Sequence, residues 1–134
     1  MSKKLINPDA VFNSLQYGFS QAIETQGSRQ IFLSGQVGVD ANQRTVAGGM
    51  YEQTIQSIEN IKHVLKAANG TLDDVVMLRI YIKQGADSEE EQQAISQALK
   101  EKFTSTPPAS SWIIVTGLSL PEWLIEIEAH AVLN

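Results

Sequence analysis

Between residues 51 and 68 the apolar positions Tyr51, Ile55, Ile58, Ile61, Val64, Leu65 and Ala68 recur at three- and four-residue intervals. That spacing lays one stripe along an α-helix. Glu52, Gln56, Glu59 and His63 fall on another face, and Asn69-Gly70 closes the helix, the glycine being expected to take a left-handed C-cap. From 75 to 83 the period changes to two, with Val76, Leu78, Ile80 and Ile82 on one side and Val75, Met77, Arg79, Tyr81 and Lys83 on the other. This β-branched, aromatic run predicts a strand. Ser88-Glu89-Glu90-Glu91 is a capping-box pattern opening a second helix, whose packing side is Ala94, Ile95, Ala98, Leu99, Lys102 and Phe103. Pro107-Pro108 holds the loop over 104–111 extended. A short strand over 112–116, a turn over 117–121 and an alternating strand over 124–133 complete the C-terminal half.

Nearer the N-terminus, residues 19–24 and 30–34 read as a β-hairpin around Thr25-Gln26-Gly27-Ser28. The chain then continues extended over 34–39, where Gly35 and Gly38 suggest a bulge or a close backbone approach. Strands, helix, strand, helix, strand, strand is an α+β order, and it predicts one sheet with both helices on the same face. The other face, assigned Met77, Tyr81 and Trp112, is too apolar to stand in water. An oligomer built on that face is expected.

The 134 residues suit a single domain over 1–134. A composition of 43% hydrophobic and 19% charged residues is that of a globular chain. With no cysteine, disulfides, thiolate nucleophiles and cysteine-ligated metals are excluded. Ten basic against 15 acidic residues, a formal charge of −5, lack the clustered cations that nucleic acid requires. No apolar run approaches the roughly 20 residues of a membrane helix, and no signal-peptide core follows Lys3-Lys4. A cytoplasmic protein without membrane or nucleic-acid partners is expected. No GxSxG, Walker, GxGxxG or HExxH motif is present.

The last strand carries the most chemistry. Ile125, Ile127, Ala129, Ala131 and Leu133 share one face, whereas Leu124, Glu126, Glu128, His130 and Val132 share the other. Two carboxylates and an imidazole thus stand in a row at intervals of about 7 Å. Glu126 or Glu128 could serve as a general base or water-orienting group, or the row could be a solvated or interface-facing polar edge. One histidine and two separated carboxylates do not make a specific metal-ligand pattern. Arg79 faces the same side, able to anchor an anion or to pair with a carboxylate of the last strand.

Four ordered stretches resemble the RidA (reactive intermediate deaminase, also YjgF) family. Residues 17–22, YGFSQA, resemble its GPYSQA segment, and residues 32–37, FLSGQV, its hydrophobic-SGQ strand. Pro108-Ala109-Ser110-Ser111 resembles its PAR(S/T) loop and Ile125-Glu126-Ile127-Glu128-Ala129 its IEIEA strand; Gln53-Thr54 and Asn60 fit its first helix. The resemblance implies a chorismate-mutase-like fold in a homotrimer around a central β-barrel, with small-metabolite pockets between subunits and no cofactor or metal. It implies hydrolysis of reactive enamines and imines, such as 2-aminoacrylate, to a carbonyl compound and ammonia.

Carried over residue by residue, Glu126 takes the water-positioning role, and Ser34 and Gly35 line the pocket. Phe19 stands where a tyrosine is expected, Trp112 where a cysteine is common, and Ser96 is the nearest match to a polar residue of the second helix. Ser110 stands in the place of the arginine that grips the substrate carboxylate. Losing that charge-assisted pair would weaken amino-acid-derived substrates by about one to two orders of magnitude. Three readings remain open: an imine or enamine hydrolase of altered substrate, with Arg79 or another residue compensating or not, a non-catalytic small-molecule-binding trimer, and a structural or interaction protein that uses its helix faces as a docking surface.

Overall fold

The computed structural model describes residues 2–134. Ten elements follow one another: β1 (Ser2–Ile6), a 3₁₀ turn (Ser14–Tyr17), β2 (Ala22–Gln26), β3 (Arg29–Val37), α1 (Met50–Ala67), a second 3₁₀ turn (Leu72–Asp74), β4 (Val75–Lys83), α2 (Glu89–Lys102), β5 (Ala109–Val115) and β6 (Ile125–Leu133). The main sheet has the order β3-β6-β4-β5; β4 and β5 are parallel and the other pairs antiparallel. β1 and β2 form a separate antiparallel ribbon. The α+β class is as expected, with two helices packed on a mixed sheet.

The core lies between one face of that sheet and both helices. Leu78, Ile80 and Ile82 of β4 and Ile125, Ile127 and Ala131 of β6 meet Ile58, Ile61 and Leu65 of α1, Ile95 and Leu99 of α2, and Phe103, which caps α2. Each such aliphatic side chain contributes about 1.5–3 kcal/mol by leaving water. Period two from Leu78 to Ile82 and period 3.6 on the helices are therefore satisfied by one surface; at the start of β4 the register with β6 shifts, so Val75 joins the core where Val76 was expected. The α2 capping box forms as read, with Ser88 Oγ accepting from Glu91 N at 3.1 Å.

Several departures from the sequence reading concern the elements themselves. The expected hairpin over 19–34 does not form: among the described residues, β2 pairs with β1 and β3 pairs with β6. Competing partners explain this. Lys3 Nζ donates to the carbonyls of Asp73 and Val75 at 2.7 Å, fixing β1 beside the start of β4. Arg29 Nη2 donates to Ala68 O at 2.8 Å, drawing β3 toward the end of α1. Secondly, β5 begins at Ala109 rather than at residue 112, because Ala109, Ser110 and Ser111 pair with Met77, Leu78 and Arg79 of β4, and Ser20 bridges onto Ala109 from the segment before β2. Thirdly, at the end of α1 it is Asn69, not Gly70, that takes the left-handed conformation, with φ of 61°.

The fourth departure concerns α1. The buried stripe of this helix includes Gln53, Thr54 and Ser57, while Val64 is exposed. Gln53 can be buried because both ends of its amide are paired. Its Nε2 donates to Glu122 O and its Oε1 accepts from Leu124 N, both at 2.9 Å, so that α1 holds the loop feeding β6. Among the described residues no helix is long and apolar enough to cross a membrane.

Candidate functional site

The sequence-predicted site residues fall into two groups. The first lies on the sheet face opposite the helices. There Glu126, Glu128 and His130 of β6 stand beside their register partners Tyr81, Arg79 and Met77 of β4. The Tyr81 hydroxyl hydrogen-bonds to Glu128, which pushes the phenol above its ordinary value, helped by burial and the carboxylate charge. Arg79 is exposed and opposite Glu128 in register, the placement that the strand alternation allowed. On β3, Phe32 is 74% exposed and stacks on the His130 ring with centroids 4.4 Å apart, and His130 Nε2 lies 3.1 Å from Gln30 Oε1.

Ser34 and Gly35 occupy the bulge in β3, between Leu33 and Gln36, where the β3–β6 register shifts. The missing side chain of Gly35 has a specific consequence. A Cβ there would lie 2.7 Å from both Cγ and Cδ of Glu126. The glycine therefore vacates the space in which the Glu126 carboxylate sits. Ser34 is exposed beside it. Bulges of this kind recur where a strand must re-aim a side chain.

The second group lies on the helix side of the sheet. Trp112 pairs in register with Ile80, and Ser110 with Leu78, so both side chains point toward the helices. This corrects the placement of Trp112 on the opposite face: parallel pairing with β4 fixes which face each β5 residue takes, and a single strand read alone does not contain that register. The first residues of β5 are held from outside, Ser20 donating to Pro108 O from its backbone at 2.9 Å and to Pro107 O from its hydroxyl at 2.5 Å. Gly18, at φ of 96°, ends the first 3₁₀ turn close against α2, where a Cβ would meet Leu99 Cβ at 2.9 Å. Phe19 follows at once, its ring 6.3 Å from that of Trp112.

These elements enclose a cleft of about 570 Å³. Phe12, Tyr17, Phe19 and Trp112 form its aromatic walls. Glu89, Gln92, Gln93 and Ser96 of α2 face it from one side and Ser110 from the sheet. Phe12 lies 6.3 Å, centroid to centroid, from both Tyr17 and Phe19, so the four rings form a chain. Trp112 Nε1 donates to Ser110 Oγ at 3.2 Å. Ser96, the position matched by offset alone, is buried in this wall.

Phe19, Ser110 and Trp112 are thus brought together, as are Ser34, Gly35 and Glu126, but the two groups occupy opposite faces of the sheet within one chain. Phe12, Tyr17, Glu89, Gln92 and Gln93 were not anticipated as lining residues. Glu89 was legible only as the first turn of α2, a role it also fills. His63 borders a separate groove by α1 and β3. Among the described residues no cluster of three or more acidic or histidine side chains is arranged to hold a metal ion.

Residues 13–133 match the family described as Endoribonuclease L-PSP. The chain is 41% identical over 102 residues to a RutC family protein of Saccharolobus solfataricus, covering 75% of this chain and 77% of that one. It is 34% identical over 108 residues to the 3-aminoacrylate deaminase RutC of Acinetobacter baylyi, covering 80% and 82%. The fold superposes on the crystal structure of the Rid family protein YyfB from Yersinia pestis with a TM-score of 0.91 at 40% identity, covering 99% of this chain and all of that one. The GxSQA, SGQ and IEIEA stretches occupy the cleft wall, the bulge and β6 respectively, and with nearly the whole length matched the chain belongs to the RidA family.

Proposed function

We propose that this chain works as a homotrimer in which the aromatic cleft of one protomer meets the Glu126 side of the next, and that the shared pocket hydrolyses the C=N bond of a small imine or its enamine tautomer. The observation that carries the reading is the vacated space at Gly35, which holds the Glu126 carboxylate beside the exposed Ser34. One chain alone keeps that carboxylate and the Ser110–Trp112 cleft on opposite sheet faces. A neighbouring copy would unite them, and would also cover Phe32 and the partly apolar face around it. The printed name of the Acinetobacter relative, a 3-aminoacrylate deaminase, supports the same reaction class.

Chemically, Glu126 accepts a proton from water as the oxygen adds to the C=N carbon. The carbinolamine that results collapses with cleavage of the C–N bond, the proton passing to the leaving nitrogen, to give a carbonyl compound and ammonia. Among the described residues lining the cleft, Glu89 is the charged one. That wall of the pocket has no cation for an α-carboxylate to pair with, and a chain charge of −5 does not favour a polynucleotide. A second reading, binding without turnover, draws on the hydrogen bond that commits Ser110 to Trp112.

The deciding assay measures ammonia release from imines generated in place, by an amino acid oxidase for carboxylate-bearing imines and by an amine oxidase for those without. Turnover of the latter that is lost in Glu126→Ala supports hydrolysis. Ligand-induced thermal shifts with no turnover of either support the binding reading. Light scattering should give three times the chain mass of 14.7 kDa. A monomer at micromolar concentration would sink the shared pocket.

A further inference from the structure

The cleft also indicates what sign of charge it accepts. Its walls are the faces and edges of four aromatic rings, and a ring face attracts cations through its quadrupole. Its charged lining residue among those described is the carboxylate of Glu89. Gln92 Nε2 is engaged with Asp87 O at 2.9 Å, and Gln93 Nε2 with Glu89 Oε1 at 3.5 Å. Each of these amides keeps a second N–H and can also accept at its carbonyl oxygen. Ser110 Oγ already accepts from the Trp112 indole. The start of α2 does not reverse this balance, because Ser88 caps it and Glu89, Glu90 and Glu91 answer its positive end. The amides and hydroxyls of the lining can both donate and accept, so the sign is set by one negative charge and the aromatic rings, which match a ligand that carries positive charge.

We propose that the cleft is selective for cationic C–N compounds bearing an aromatic or other apolar group and no carboxylate: protonated imines and the amines related to them. This rests on the reading that the cleft is the substrate half of the pocket, and it names the substrate class. In hydrolysis such an iminium ion and water give the carbonyl compound and an ammonium ion, so charge and atoms balance without a further reactant.

Three probes of matched size and no reactivity separate charge from shape: benzylammonium, benzyl alcohol and benzoate. In a Trp123→Phe background Trp112 is the remaining tryptophan, and its emission reports occupancy. Benzylammonium should bind at least about tenfold more tightly than benzoate, with benzyl alcohol between them. Glu89→Gln should weaken benzylammonium by about two- to fivefold, narrowing its lead over benzyl alcohol, and leave the alcohol unchanged. Benzoate equal to or tighter than benzylammonium, no saturable response to any probe, or an unchanged preference in Glu89→Gln overturns the proposal. Glu126→Ala should keep the probe order. Retention of that order in a protein that turns over no imine would therefore remove the hydrolase reading and leave the charge preference standing.

Discussion

The indole of Trp112 donates to the hydroxyl of Ser110 at 3.2 Å, across a single intervening residue of β5. Both side chains lie on the helix face, so the bond ties together two residues of one wall of the cleft. A guanidinium at position 110 would replace that internal bond with an outward-facing fork suited to a carboxylate. Ser110→Arg should therefore lower KM for carboxylate-bearing imines such as 2-iminopropanoate by about one to two orders of magnitude, read by ammonia release. Wild-type turnover of 2-iminopropanoate as fast as that of carboxylate-free imines would show that the serine is no handicap.

Gln53 joins α1 to the chain just ahead of Glu126 through Glu122 O and Leu124 N. Gln53→Leu keeps the volume and removes both partners, leaving a carbonyl and an N–H unpaired in a part-buried site. Urea denaturation should show a loss of about 1–3 kcal/mol with an unchanged slope. A change of less than a few tenths would mean that water replaces the amide freely.

Lys102 hydrogen-bonds to Glu59 across α1 and α2, and this bond, with the charge of Lys102 and the nearby Lys62 and His63, holds the Glu59 carboxyl below its ordinary value of 4.5. A depressed folded pKa means stability that is present above the unfolded value and is lost as pH falls through the folded one. The pair is partly solvated, which limits it to under about 1 kcal/mol. The stability difference between wild type and Lys102→Gln should accordingly stay flat from pH 8 to about 5, then shrink on further acidification. A difference that widens in acid would reverse the assigned sign.

What could be read in advance follows the range of the interactions. The alternation of Ile125, Ile127 and Ala129 with Glu126 and Glu128 is local, and so is the Ser88–Glu91 box; both stand in the structure as the pattern requires. β1 has no such signal, since what holds it is Lys3 reaching carbonyls 70 and 72 residues away. The face of Trp112 depended on register with Ile80, a parallel pairing formed through an intervening helix. Gln53 lay outside the apolar stripe, because only its distant partners make its burial possible. Within the site, Gly35 was visible as an irregularity, yet its relation to Glu126 required the paired strand.

That relation gives the sharpest separation of chemistry from stability. In Gly35→Ala the new methyl would sit 2.7 Å from Glu126 Cγ and Cδ, so the carboxylate must swing aside. The glycine lies in a bulge, where a small shift of the side chain relieves the clash without unfolding the strand. Displacing a reacting group by about 1 Å costs on the order of 10²-fold in rate. Imine hydrolysis by Gly35→Ala should fall by about that factor in kcat, while probe binding in the Trp112 cleft and the melting temperature change little. Glu126→Ala provides the reference, because a carboxylate already out of place should leave Gly35→Ala/Glu126→Ala no slower than Glu126→Ala alone. If the two losses instead multiply, Gly35 acts on turnover by a route other than the position of Glu126.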